Sequence, residues 1–261
     1  MANAVEKLNG IALADIEKIN GRTEANIEKI NGLSFEAAEY GPPAFVQSVD
    51  RNYLGASAAY GITGDITVGS GEGRALVVVS LLRDDDGAPS ATGCTFTKSG
   101  GSAQAFTQKV LASSGYTQVS IWGLIAPVTG AGEVKLDFDR DLNQGSSAKI
   151  IELTGVKQSG GNSGMFAEQA GGANTSATTL SQSTDTTAGQ IVIDGMFLVG
   201  GTAGTGGDAG SSQTQVGALV DRGYGASYKT ASGTSTTLSW SWDNSSTVAF
   251  NIVNVVSDVY S

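Results

Sequence analysis

From Ala44 onward the apolar residues recur at strand spacing, with no helical pattern between them, and this confines the chain to few folds. Successive parallel strands need a long, usually helical crossover, so parallel α/β architectures are excluded. "RALVVVSLLRD" (74–84) is a continuous run of the kind buried on both faces of a sheet. "GEVKLDFDRD" (132–141) alternates, with Val134, Leu136 and Phe138 on one side and Lys135, Asp137 and Asp139 on the other. "TTLSWSWDNSSTVAFNIVNVV" (236–256) reads as a hairpin turning at Asp243-Asn244-Ser245-Ser246, with Leu238, Trp240 and Trp242 on one face. Further strands are expected at 44–50, 93–98, 104–111, 116–126, 147–154, 189–199, 214–220 and 225–231. The expected fold is mainly β, an antiparallel β-sandwich or jelly-roll-like domain.

The first forty residues differ. They carry four basic and seven acidic side chains and only three glycines, against thirty-four glycines in the rest. One phrase occurs three times at a spacing of eleven: Val5, Ile16 and Ile27 correspond, as do Leu8, Ile19 and Ile30, and each phrase closes on Asn-Gly (Asn9-Gly10, Asn20-Gly21, Asn31-Gly32). Apolar residues three apart predict short helical turns, with Thr23 and Ser34 as N-caps and Asn-Gly as a left-handed C-terminal cap. A continuous helix with an eleven-residue stripe is the competing form, disfavoured because each glycine costs about 1 kcal/mol relative to alanine. Helices this short are marginal alone, so the stripe needs a surface to dock on. The expected organisation is a repeat and anchor segment (1–40) and a β-sandwich domain (41–261), divided near Gly41-Pro42-Pro43. The anchor residues are Val5, Leu8, Ile16, Ile19, Asn20, Gly21, Ile27, Ile30, Asn31 and Gly32.

Composition removes several kinds of chemistry. The net charge is -10, which argues against a nucleic-acid partner, because such binding needs clustered Lys and Arg. No apolar run has the length of a signal peptide or a membrane span. Histidine is absent, so a Ser–His–Asp triad cannot be assembled, and Cys94, the one cysteine, can form no intrachain disulfide. Cys94 is expected as a small buried residue at a strand start. No phosphate-loop motif occurs. What remains for catalysis is paired carboxylates, in Asp84, Asp85 and Asp86 or in Asp137, Asp139 and Asp141. The latter three also imitate the start of a calcium loop, but Leu142 stands where its glycine belongs and Ala148 where its glutamate belongs. Both acidic sets are expected to be solvated turns. The loop 200–213 is expected as a surface excursion, with mobile binding loop as the alternative, and Trp122, Trp240 and Trp242 as core.

The repeated phrase I-x-K-I-N-G resembles the "I-x-x-V-N-G" arrays near the N-termini of bacteriophage virion proteins. "GRALVVVSLL", "VSIWGLIAPVTGAGEVKLDF" and "AKIIELTGV" resemble a sandwich module of phage tail, neck and head-appendage proteins. The resemblance covers residues 5–37 and about 74–156 and carries over no catalytic residue. It implies a non-enzymatic component of a tailed-phage particle (appendage, decoration, collar or fibre), made in the host cytoplasm and resident in the virion. Expected partners are other virion proteins and sister subunits, with no nucleic acid, membrane, metal or cofactor. The alternatives are a module binding a host glycan or receptor, and an acid-pair hydrolase.

Overall fold

The computed structural model describes residues 41–53, 61–87, 89–199, 208–220 and 223–255, together with six dipeptides of the N-terminal segment. The chain divides into two compact units, Met1–Glu39 and Tyr40–Ser261.

In the first unit the dipeptides form three identical ladders. β1 (Lys7–Leu8) pairs antiparallel with β2 (Ile11–Ala12), β3 (Lys18–Ile19) with β4 (Arg22–Thr23), and β5 (Lys29–Ile30) with β6 (Leu33–Ser34). The register repeats at eleven: Leu8 opposes Ile11, Ile19 opposes Arg22, and Ile30 opposes Leu33. This corrects the expectation of helical turns. Thr23 and Ser34, expected as N-caps, are strand residues. The reason lies in the two residues between each opposed pair: Asn-Gly is the sequence that two-residue hairpin loops favour, because both positions there need φ > 0. Val5, Ile16, Asn20, Gly21, Ile27, Asn31 and Gly32 lie outside the described residues.

The second unit is built of strands, with one four-residue helical turn at Gly161–Gly164 among the described residues. Its first part contributes β7 (Ala44–Tyr53), β8 (Gly61–Val68), β9 (Ala75–Arg83), β10 (Ala91–Lys98), β11 (Ala103–Ala105), β12 (Thr107–Ser114), β13 (Thr117–Ile125), β14 (Gly130–Phe138) and β15 (Ser146–Thr154). The remainder contributes β16 (Phe166–Asp185), β17 (Ile191–Val199), β18 (Asp208–Ala209), β19 (Thr214–Val220), β20 (Tyr224–Thr230) and β21 (Ser235–Val255). Three antiparallel sheets result, of four strands in the order β11-β10-β14-β8, of five in the order β12-β13-β9-β15-β7, and of six in the order β16-β21-β17-β20-β19 with β18 paired to β21 beside it.

The five-stranded sheet is the middle of three layers. Leu76, Val78, Leu82, Trp122, Leu124 and Ile150 pack on one side with Ile62, Ile66, Phe96, Val134, Leu136 and Phe138 of the four-stranded sheet. Val77, Val79, Val119, Ile121, Ile151 and Leu153 pack on the other side with Ile191, Ile193, Phe197, Tyr224 and Ala249 of the six-stranded sheet. The middle strands β9, β13 and β15 are therefore buried along eight consecutive residues each, as the unbroken apolar run 74–84 requires. β14 alternates as expected, with Val134, Leu136 and Phe138 inward.

The hairpin expected within 236–256 is replaced by a single strand that bends. β21 pairs along most of its length with β16, but Ala177 opposes Ser246 while Thr179 opposes Ser241, so five steps on β21 match two on β16. Asp243-Asn244-Ser245-Ser246 thus forms a bulge rather than a closed turn. The bend is sharp. Asp194 of β17 opposes Ile252, and Trp240 lies twelve residues upstream, about 40 Å along a straight strand. Yet Trp240 Nε1 is 2.7 Å from Asp194 Oδ2, so the first half of β21 folds over the outer face of its own sheet. Trp240, Trp242 and Leu180 there pack on Met196, Leu198 and Val248.

Candidate functional site

The acidic segments singled out in sequence do meet, at one end of the sandwich; Asp141 is exposed there, and the other five carboxylates are engaged. Asp84 is 1% exposed; its Oδ1 accepts the Asp86 N–H at 3.2 Å, and the Arg140 guanidinium stands 4.0 Å from its Oδ2. Asp85 accepts Arg83 Nη2 at 3.2 Å and the Gln144 amide. The Asn143 side chain ties the two loops together, accepting from Asp85 N at 2.9 Å and donating to Asp86 Oδ2 at 3.1 Å. Asp139 accepts from Ser90 N at 2.9 Å and pairs with Arg140 at 3.3 Å. Burial raises the pKa of Asp139, but those donors outweigh it and hold the carboxyl below its usual range. Asp137 pairs with Lys135 at 2.7 Å. Among the described residues no group of three or more acids, Cys or His is placed to hold a metal. Leu142, the misfit in the calcium-loop pattern, is fully buried in the core that faces the four-stranded sheet. It anchors the loop as a hydrophobic plug.

This end of the molecule is therefore a latch between loops, and its acids support structure. Replacing Asp84 with Ala is expected to cost about 1–3 kcal/mol, since a backbone N–H and a guanidinium lose their acceptor. Urea unfolding checks this; a change under about 0.5 kcal/mol would show the carboxylate to be idle.

The most perturbed acid was not visible in the sequence. Asp194, in β17, faces away from the middle sheet and is 5% exposed. Its Oδ1 accepts from Ser227 N at 2.9 Å and Ser227 Oγ at 2.7 Å, and its Oδ2 from Trp240 Nε1 at 2.7 Å. Ser227 Oγ accepts in turn from Gln213 Nε2 at 2.8 Å, and Gln213 Oε1 accepts Ser239 N at 2.6 Å. One chain of hydrogen bonds thus joins β17, β20 and the folded-over half of β21. Gln213 belongs to the segment 200–213, whose residues 200–207 lie outside the described ones. Its described part is bound into the fold: Asp208–Ala209 pair with Ser241 and Trp240, and Gly210 N donates to Ser239 O. A lone Asp inside "QIVIDGMFLV" was the available signal.

Burial pushes the Asp194 carboxyl up to about 7, against the pull of its three donors. An unfolded Asp titrates near about 3.9, so between these values the native state binds the extra proton. Stability is then full below the lower value and falls as pH rises toward the upper, by on the order of 4 kcal/mol. Asp194→Asn is expected to lack this fall. Urea midpoints of both chains at about pH 4.5 and about pH 7.5 test it; parallel shifts in the two would refute the assignment.

The other sequence candidates fall as follows. Trp122, Trp240 and Trp242 are core residues, at 6%, 2% and 7% exposure. Cys94 is buried and its thiol pKa is raised, chiefly by desolvation, so it is held as a neutral packing group. Leu8, Ile19 and Ile30 sit at equivalent positions of the three ladders. No helix among the described residues is long and apolar enough to cross a membrane.

No protein-family model matches the chain, and no curated protein does. Among solved structures, the crystal structure of the STIV MCP, a viral major capsid protein, aligns over 82% of this chain and 98% of that one, at 10% identity. The TM-score is 0.21, and the match carries no argument about fold or function.

Proposed function

We propose that the chain is a non-enzymatic structural component of a tailed-phage particle, in which the repeats fasten a displayed β-sandwich to other virion proteins or to sister subunits. The supporting observation is the array of three ladders with one register at a spacing of eleven. A two-stranded hairpin is marginal alone, and each ladder here has two residues per strand. Repetition of such a unit makes physical sense when a partner surface binds every copy, because each added unit then binds intramolecularly. The engaged carboxylates at the sandwich end agree with a role in display rather than hydrolysis.

A second reading, contact with a host glycan, is favoured by Tyr116. Tyr116 is 48% exposed in the turn between β12 and β13, and its carbonyl accepts the Asp84 N–H at 3.0 Å. An exposed aromatic face with a polar tip is the chemistry on which a sugar ring stacks.

One experiment separates the two. Residues 41–261 and the full chain are each offered to assembling particles and to host surface polysaccharide. An anchored structural protein enters particles only as the full chain. Retention of both forms on polysaccharide, with equal particle incorporation, would favour the glycan reading and overturn the anchor.

A further inference from the structure

Two strands of the large unit bring an amine, a carboxamide and a carboxylate together. β7 and β15 pair antiparallel, with Lys149 opposite Asp50 and Ser147 opposite Asn52. Ile151 and Leu153 of β15 face the six-stranded sheet, and Lys149, two residues earlier on the strand, shares that face. Its side chain is wholly buried, with Nζ 5.8 Å from the centroid of the Tyr224 ring. Nζ donates to Asp50 Oδ1 at 2.5 Å and to Asn52 Oδ1 at 3.2 Å, and Asn52 Nδ2 donates to Asp50 Oδ2 at 3.0 Å. One carboxylate therefore holds the amine and the carboxamide at once. β19 closes the site with bare backbone: Gly217, at φ +74, stands where a Cβ would come within 2.5 Å of Asp50 Oδ2.

We propose that Lys149, Asn52 and Asp50 form a self-acting crosslinking site, in which the Lys149 amine displaces the carboxamide nitrogen of Asn52 and joins β15 to β7 through a covalent amide.

The atoms balance without any outside reagent. Asp50 takes a proton from the Lys149 ammonium and frees the lone pair on Nζ. That pair forms a bond to Asn52 Cγ while the carbonyl electrons move onto Oδ1. Asp50 then passes its proton to Nδ2, the Cγ–Nδ2 bond breaks as the carbonyl re-forms, and ammonia departs. The last proton released by Nζ leaves with it as ammonium, and Asp50 ends as the carboxylate it was.

Three physical arguments favour the step. The amine and its target carbonyl are held on paired strands, which gives the high effective concentration of a positioned intramolecular reaction. Burial pulls the Lys149 pKa down, with Asp50 opposing, so the nucleophilic neutral amine is easier to reach than in water. Before reaction an ammonium is buried between two sheets, and afterwards a neutral amide stands there while the charge escapes past Asn52, which is exposed. The product is a staple in a chain whose single buried cysteine cannot supply one. It ties down β7, an edge strand and the first strand of the large unit. The inference is independent of the virion reading.

The test is a peptide map of the full chain, purified after expression and digested with trypsin. The expected product is a branched peptide joining the Asn52 segment to the Lys149 segment, lighter than their sum by one ammonia and uncleaved after Lys149. Asn52→Ala, a change at an exposed side chain, should abolish the branch in a chain that melts cooperatively. Asp50→Ala should slow its formation by about a hundredfold while leaving both reacting groups in place. Recovery of the Asn52 and Lys149 peptides unlinked from the folded wild-type chain would overturn the proposal, and that measurement needs no variant to fold. A branch lighter by one water, joining Lys149 to Asp50, would also overturn it, because Asn52 would not be the acceptor.

Discussion

Replacing Trp240 with alanine will destabilise the large unit by about 3–5 kcal/mol, one of the largest losses any single side chain can cause here. Trp240 is 2% exposed and packs with Trp242, Leu180, Met196, Leu198 and Val248 beneath the folded-over half of β21. Its removal opens a cavity and also takes the only indole donor from Asp194 Oδ2, leaving a buried carboxyl oxygen short of a partner. Trp240→Phe separates the two effects. It keeps most of the packing and removes the N–H, so it should cost about 1–3 kcal/mol. Urea unfolding of the full chain measures both. A loss under about 1 kcal/mol for Trp240→Ala would mean that the fold-back of β21 is not held by this contact.

The middle layer was legible in the sequence because its signal is unconditional. Strands buried on both faces must be apolar throughout, and β9 reads that way from "ALVVVSLL". The alternation of β14 was legible because only one of its faces is buried, and the burial of Trp240 and Trp242 because they stand in register with Leu238. β16 was not. Its twenty residues, "FAEQAGGANTSATTLSQSTD", are mostly small and polar, so no period of two stands out, although β21 pairs along most of it. β8 does alternate, with Ile62, Ile66 and Val68 inward, but its two glycines dilute the pattern. The third layer was missed with β16, and so was the bend, because Asp243-Asn244-Ser245-Ser246 suits a turn and a bulge equally well.

In the repeats, two mechanisms compete for one dipeptide. Asn-Gly ends a helix or turns a hairpin, and apolar residues three apart, such as Leu8 and Ile11, can flank either. The paired register decides for the hairpin. The Lys149–Asp50–Asn52 cluster was not legible at all. It depends on the register between strands 99 residues apart, which no local pattern reports. Asp194 is hidden similarly, since its donors come from β20 and from the folded-over half of β21.

The hairpin geometry sharpens the anchor proposal. Replacing Ile16, Ile19, Ile27 and Ile30 with serine deletes apolar positions while keeping length and charge. Each isoleucine buried against a partner is worth roughly 1.5–3 kcal/mol, so the loss of four removes more than a typical attachment provides. The large unit has its own three-layer core, beginning beyond Pro43, and should melt unchanged. Glu17→Gln and Glu28→Gln are the matched controls and should have little effect.

The most direct measurement is incorporation of the four-serine chain into particles in cells that supply the remaining virion proteins, with thermal melting of the free chain alongside. The proposal predicts a chain that melts like the wild type and is absent from purified particles. Incorporation at the wild-type level would contradict it.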